Sequence, residues 1–178
     1  VTFTTGGDPD FNTSLEILKT IINNGIDIIE IGMPFSDPMA DGPTIQESSV
    51  RSLSNGTKIN DIFEIVMNIR SLNNEIPIIL MGYYNSIFNL GIDNFTARCA
   101  ETGVDGLIIV DLQPEEDSEL LTKTIDKNID LIRLITPTTD QKRLSTILSN
   151  ASGFLYYVTV TGITGQNSAN IEDLKKSV

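Results

Sequence analysis

Two carboxylates lead the residues able to do acid–base or electrostatic work. Glu30 interrupts the apolar run Ile28-Ile29-Glu30-Ile31. A carboxyl among branched aliphatic side chains loses hydration, so its pKa is expected to rise into a general-acid range. The bland alternative is a structural glutamate paired with a base. Of the 12 Lys and Arg residues only Arg133 falls inside an apolar strand-like run. Asp41 lies just downstream in Pro34-Phe35-Ser36-Asp37-Pro38-Met39-Ala40-Asp41-Gly42-Pro43-Thr44-Ile45-Gln46, which contains three prolines and two aspartates. By composition that is a stiff loop with Asp turns. It fails as a calcium loop, because counting from Asp37 puts Met39 third and Ser48 twelfth. A third candidate is Thr161-Gly162-Ile163-Thr164-Gly165-Gln166-Asn167. Its glycines let backbone N–H groups approach an anion, and a plain flexible loop fits equally. Met81-Gly82-Tyr83-Tyr84-Asn85 and Asp111 also follow apolar runs, where packing and helix capping compete with function.

Composition narrows the chemistry further. The chain of 178 residues has 12 basic and 24 acidic residues, no His and one Cys, for a net charge of −12. Without His, Ser–His–Asp and Cys–His catalysis and His-ligated zinc or haem are excluded, and one Cys makes no internal disulfide. Carboxylates, Tyr or Lys must carry any proton transfer near neutrality. An acidic chain without a basic patch suits neither nucleic acid nor an anionic membrane. No apolar run approaches the roughly 18 residues of a membrane span, and no basic-then-apolar leader opens the chain. A reducing, cytoplasmic setting is the expectation.

The elements that must position these groups alternate regularly. Apolar or β-branched runs predict strands at Val1–Thr5, Asp27–Met33, Pro77–Met81, Gly106–Val110, Leu131–Ile135 and Phe154–Thr159. Their continuous apolar character fits parallel strands covered on both faces. Helical patterns lie between them: one opened by Thr13-Ser14-Leu15-Glu16, then Pro43–Leu53, Ile59–Leu72, Ile92–Thr102, Glu115–Asp126 and Asp140–Leu148. Asn24-Gly25, Thr102-Gly103 and Ser152-Gly153 precede strands, where a helix-ending glycine belongs. Alternation puts Ile26, Ile28, Glu30 and Gly32 on one strand face, and Ile29, Ile31 and Met33 on the other. The functional loops of such βα repeats follow the C-terminal strand ends, where Glu30, Asp41 and the Thr161 segment all fall.

Six units of about 30 residues are too few for a closed (β/α)₈ barrel, which takes at least about 200. An open doubly wound sheet would place G-x-G-x-x-G after its first strand, and Thr5-Gly6-Gly7-Asp8-Pro9-Asp10 is not that motif. The chain opens in a strand at Val1 and stops in a helical pattern at Lys175-Lys176-Ser177-Val178. The expectation is a single α/β domain over residues 1–178, a (β/α)₈ TIM barrel truncated at both ends with about six of its eight units.

The run Ile29-Glu30-Ile31-Gly32-Met33-Pro34-Phe35-Ser36-Asp37-Pro38-Met39-Ala40-Asp41-Gly42-Pro43-Thr44-Ile45-Gln46 closely resembles the signature of the tryptophan synthase α-subunit family. Gly7-Asp8-Pro9-Asp10, Met81-Gly82-Tyr83-Tyr84-Asn85, Val104-Asp105-Gly106-Leu107, Asp111 to Glu116, Thr136-Pro137-Thr138 and Tyr156 to Gly165 resemble it too, in family order. The resemblance implies a (β/α)₈ barrel. It also implies a lyase that cleaves indole-3-glycerol phosphate to indole and glyceraldehyde 3-phosphate without cofactor or metal. Glu30 is then the general acid/base, and Asp41 accepts the indole N–H and stabilises charge on the ring. Phe3, Met81, Ile108 and Leu134 are implied as apolar walls. Tyr156 lines the site, Thr164 closes toward Asp41, and Gly165 contacts phosphate. The implied partner is a β-subunit that carries pyridoxal phosphate (PLP), met by Asp37, Pro38, Asn85, Gln113 and Pro114 in an α₂β₂ complex.

Gln113 departs from the family's Asp-Leu-Pro-Pro-Glu-Glu pattern, a change expected to loosen a loop near that partner. The phosphate-binding glycines of strands seven and eight are expected beyond Val178, so the chain alone is expected to lack full activity and to expose two strand edges. Two rivals remain. One is another phosphate-binding barrel lyase or isomerase, which commonly uses a strand Lys that no strand run here contains. The other is a non-catalytic subunit that only activates a β partner.

Overall fold

The computed structural model describes residues 1–159. Its elements are β1 (Thr2–Thr5), α1 (Phe11–Asn23), β2 (Ile29–Gly32), α2 (Pro43–Ser54), α3 (Ile59–Leu72), β3 (Ile78–Gly82), α4 (Tyr84–Leu90), α5 (Ile92–Thr102), β4 (Gly106–Ile109), α6 (Ser118–Ile125), β5 (Asp130–Leu131), β6 (Arg133–Ile135), α7 (Gln141–Leu148) and β7 (Leu155–Tyr157). Every strand pairing is parallel: β1 to β5 form one sheet in chain order, and β6 pairs with β7. The predicted strand Leu131–Ile135 is broken at Ile132, whose N–H still donates to the Leu107 carbonyl at 2.9 Å. Beyond that bond the path leaves β4 and pairs with β7 alone. With β5 and β6 counted as one path, six strand positions among the described residues are joined by helical crossovers. They are six of the eight units of a (β/α)₈ barrel.

Local signals account for most element boundaries. Gly25 and Gly103 adopt φ of +81° and +88°, the left-handed conformation that ends a helix and turns into a strand, whereas Gly153 at +68° lies beyond the α7 cap Ser149 and only turns the chain toward β7. The first helix starts at Phe11 and not at Thr13. Asp10 is its cap, its carboxylate accepting the Thr13 N–H at 3.0 Å and the Thr13 hydroxyl at 2.7 Å. A charged acceptor placed to reach that N–H takes the cap from the neighbouring threonine. Two other helices also differ from the sequence pattern. Residues 114–116 form a turn before α6, whose cap is Asp117, and α4 arises from a stretch whose one buried side chain, Ile87, gives no periodic signal.

Strand alternation sorts the core into two layers. Outward-facing Ile29, Ile31, Ile78, Leu80 and Leu107 are fully buried beneath Leu18, Ile62, Phe63 and Phe95 of the helices. Each such side chain stabilises the fold by about 1.5–3 kcal/mol. The inward face carries Ile79, Ile108 and Ile132, with Ile28, Met81, Leu134 and Tyr156 packed on them. Among the described residues no helix is long and apolar enough to cross a membrane.

Candidate active site

Glu30 sits in β2, in register with Phe3 on one side and Ile79 on the other. Alternation turns it to the inner face, and it is 1% exposed. No described residue hydrogen-bonds its carboxyl, and desolvation pushes its pKa up to about 7. The pairing with Arg133 does not occur. Arg133 pairs with Asp117, and both side chains are buried. Parity explains this: Arg133 shares the outer face with Leu131, whereas Glu30 faces inward. Tyr156, in β7 opposite Leu134, has its pKa raised first by burial and then by the negative charge of Glu30.

Asp41 lies in the loop after β2. The Tyr83 hydroxyl donates to Asp41 Oδ2 at 3.0 Å and accepts the Ala40 N–H at 2.9 Å. The Tyr83 ring stacks on Phe35 with centroids 5.1 Å apart. Burial raises the Asp41 pKa, and the Tyr83 bond opposes that rise by favouring the carboxylate. Tyr83 itself is raised, by burial first and then by the charge on Asp41. Asp41, Tyr83, Phe3 and Met81 line one small cavity. Gly32 permits this closeness, since a Cβ there would sit 2.6 Å from Phe3 Cζ.

The structure thus gathers the sequence candidates unevenly. Glu30 and Tyr156 interact electrostatically, and Phe3 flanks Glu30 in register. Met81, Ile108, Leu134 and Tyr156 share the inner apolar cluster. Thr164 and Gly165 lie outside the described residues. Asp37, Asn85 and Gln113 are exposed, and Pro38 and Pro114 half-buried, in segments that follow β2, β3 and β4. Gln113 does not simply loosen its loop: its Oε1 accepts from Arg143 Nη2 at 3.3 Å. Sequence reasoning had no role for Tyr83, whose signal was an aromatic immediately after a strand end. Asp111 takes the capping role, its Oδ1 accepting the Tyr84 N–H at the start of α4 at 2.8 Å.

A desolvated inner carboxyl with a pKa raised to about 7 and a loop carboxyl that accepts a hydrogen bond from Tyr83 are two groups that can divide acid–base and electrostatic work. The whole chain, residues 1–178, matches the family described as tryptophan synthase alpha chain. The chain belongs to that family.

Three solved structures place this member of the alpha chain family among its relatives. A protein from Aquifex aeolicus VF5 is 40% identical with a TM-score of 0.90, over 98% of this chain and 66% of its own. Tryptophan synthase subunit alpha from Legionella pneumophila str. Paris is 38% identical with a TM-score of 0.85, over 88% of this chain and 60% of its own. A chain of the tryptophan synthase complex from Pyrococcus furiosus is 40% identical with a TM-score of 0.83, over 87% of this chain and 64% of its own. The alpha chain described here therefore spans less than two thirds of the length of these relatives.

Proposed function

We propose that the chain serves tryptophan biosynthesis as the alpha subunit of tryptophan synthase. Its reaction is the retro-aldol cleavage of indole-3-glycerol phosphate to indole and glyceraldehyde 3-phosphate. Glu30 is the observation that carries this reading: a buried carboxyl on the inner face of the parallel strands, with no hydrogen-bond partner among the described residues and a pKa raised to about 7. Its protonated form delivers a proton to indole C3, which makes the ring an electron sink. The bond from C3 to the side chain then breaks, and the carboxylate formed at Glu30 takes the proton of the adjacent hydroxyl as the aldehyde forms. Asp41 accepts the indole N–H and stabilises the positive charge developing on the ring. The Tyr83 hydroxyl, bonded to Asp41 Oδ2 at 3.0 Å, orients it and favours its ionised form.

In this reading Phe3, Met81, Ile108 and Leu134 wall the indole and Tyr156 lines the site beside Glu30. Thr164 closes toward Asp41, and Gly165 contacts phosphate. The chain needs no metal or cofactor of its own. Asp37, Pro38, Asn85, Gln113 and Pro114 face a PLP-carrying β-subunit in a cytoplasmic α₂β₂ complex. A purely regulatory subunit has no use for a desolvated Glu30 without a partner among the described residues, and no described strand supplies the lysine of other barrel lyases. The test is indole release by a chain of the relatives' full length. Glu30→Gln should lower it by about 10²-fold or more with little change in substrate affinity. Retention of a tenth of the parent rate would remove Glu30 from this role.

A further inference from the structure

The three buried serines of α2 divide between two stripes of the helix. Ser48 and Ser52 meet the end of β1: the Ser48 hydroxyl lies 2.6 Å from Thr5 Oγ1, and Ser52 Oγ donates to the Gly6 carbonyl at 2.7 Å. Ser49 and Ile45, one turn apart, lie on the other stripe and line the cavity that also holds Asp41 and Tyr83.

Ser49 is 4% exposed, and no described residue hydrogen-bonds its hydroxyl. A serine inside a helix can donate to the carbonyl four residues back, as Ser145 does to Gln141 at 3.0 Å. For Ser49 that acceptor is Ile45, whose carbonyl already accepts the Ser48 hydroxyl at 2.8 Å. The Ser49 proton is left for the cavity. Serine has only Cβ and Oγ to present to a wall that it lines. The fully enclosed side-chain polar atoms without a partner among the described residues belong to Thr4, Asp117 and Arg133. An unpartnered Ser49 hydroxyl is therefore one that meets open space.

The cavity measures about 20 Å³, enough for one water. Thr5 lines it as well. With the Ser48 proton given to Ile45, Thr5 donates to Ser48 and keeps a lone pair for the cavity. A water accepting from Ser49 and donating to Asp41 and Thr5 has three partners, typical of a buried water. Burial disfavours the charged form of Asp41, and Tyr83, on Oδ2, is the titratable group facing it among the described residues.

We propose that Ser49 is a second positioning residue for Asp41, joined to it by a single water in this cavity that accepts from the Ser49 hydroxyl and donates to the carboxylate. With Tyr83 on one oxygen and the water on the other, the carboxylate is held from two sides. The inference rests on the role given to Asp41 in the proposed lyase.

The test is a carboxyl ¹³C NMR titration of Asp41 in the ligand-free chain at the relatives' full length, the signal being identified by its loss in Asp41→Asn. Ser49→Ala should raise the Asp41 pKa by about one unit. Ser52→Ala removes an equally buried serine bonded to β1 and should leave the Asp41 titration unchanged. A crystal structure of the parent, which depends on no variant folding, should show one water within hydrogen-bond reach of both Ser49 Oγ and an Asp41 carboxylate oxygen. No water there, an unshifted Asp41 in folded Ser49→Ala, or an equal shift in Ser52→Ala would each overturn the proposal. The titration needs no substrate: an inactive chain with the expected shift rejects the lyase reading alone, and an active chain without it rejects the role of Ser49 alone.

Discussion

Replacing Glu30 with Gln should stabilise the fold while removing its proton chemistry. The carboxyl is 1% exposed, and burial raises its pKa from 4.5 to about 7. The native state therefore holds this proton more tightly than the unfolded chain does. Below pH 4.5 both states are protonated and the group is neutral to stability. As the pH climbs past 4.5 the unfolded chain ionises first, and stability falls until the native carboxyl also ionises near 7. At about 1.4 kcal/mol per pH unit in that window, the full loss is about 3 kcal/mol. Glutamine has the same shape and never ionises, so it escapes the loss. The stability gain of Glu30→Gln over the parent should then be about 2.5 kcal/mol larger near pH 8 than near pH 5. Urea unfolding followed by circular dichroism at the two pH values measures it, provided that the denaturant slope is unchanged. Taking the difference between pH values cancels the fixed cost of burying an amide. A gain that is the same at both pH values, or larger at the acidic one, would refute the desolvation argument for Glu30.

Other perturbations probe the remaining contacts. Tyr83→Phe removes the hydroxyl bonded to Asp41 Oδ2, so the Asp41 pKa should rise further and indole release should fall by about tenfold or more; a pH–rate profile identical to the parent's would contradict it. Gly103 has φ +88°, and a Cβ there would lie 2.9 Å from Arg70 Nε, so Gly103→Ala should cost about 1–2 kcal/mol in urea unfolding. Asp117→Ala strands the buried Arg133 guanidinium and should cost about 3–5 kcal/mol, whereas Asp117→Leu with Arg133→Met together should be nearly neutral or stabilising. Equal losses for the single and double variants would show that the pair contributes nothing beyond packing.

Much of the site could be read from strand parity. Ile28, Glu30 and Gly32 alternate against Ile29 and Ile31, and the structure keeps that division, helix-packed on one face and cleft-facing on the other. The loop to Asp41 was legible as a stiff, aspartate-bearing segment, but its tie to Tyr83 was not. That bond joins residues 42 apart in the chain, a separation that no local pattern reports. The break at Ile132 was hidden as well, because Leu131 to Ile135 is continuously apolar except for Arg133. Nothing in such a run marks where a strand changes neighbours.

Arg133 shows how far parity determines chemistry. An outward-facing arginine reaches the Asp117 carboxylate, which the loop after β4 brings back against the strand. An inward-facing one, a single residue later at the position of Leu134, would stand in the cluster that holds Tyr156, whose pKa already responds to Glu30. There its positive charge would favour the Glu30 carboxylate and undo the desolvation that keeps that group protonatable. A shift of one residue exchanges the two faces completely. Burial alone therefore does not keep the Glu30 carboxyl protonatable near neutrality. It stays so because no basic side chain on the described strands shares its face.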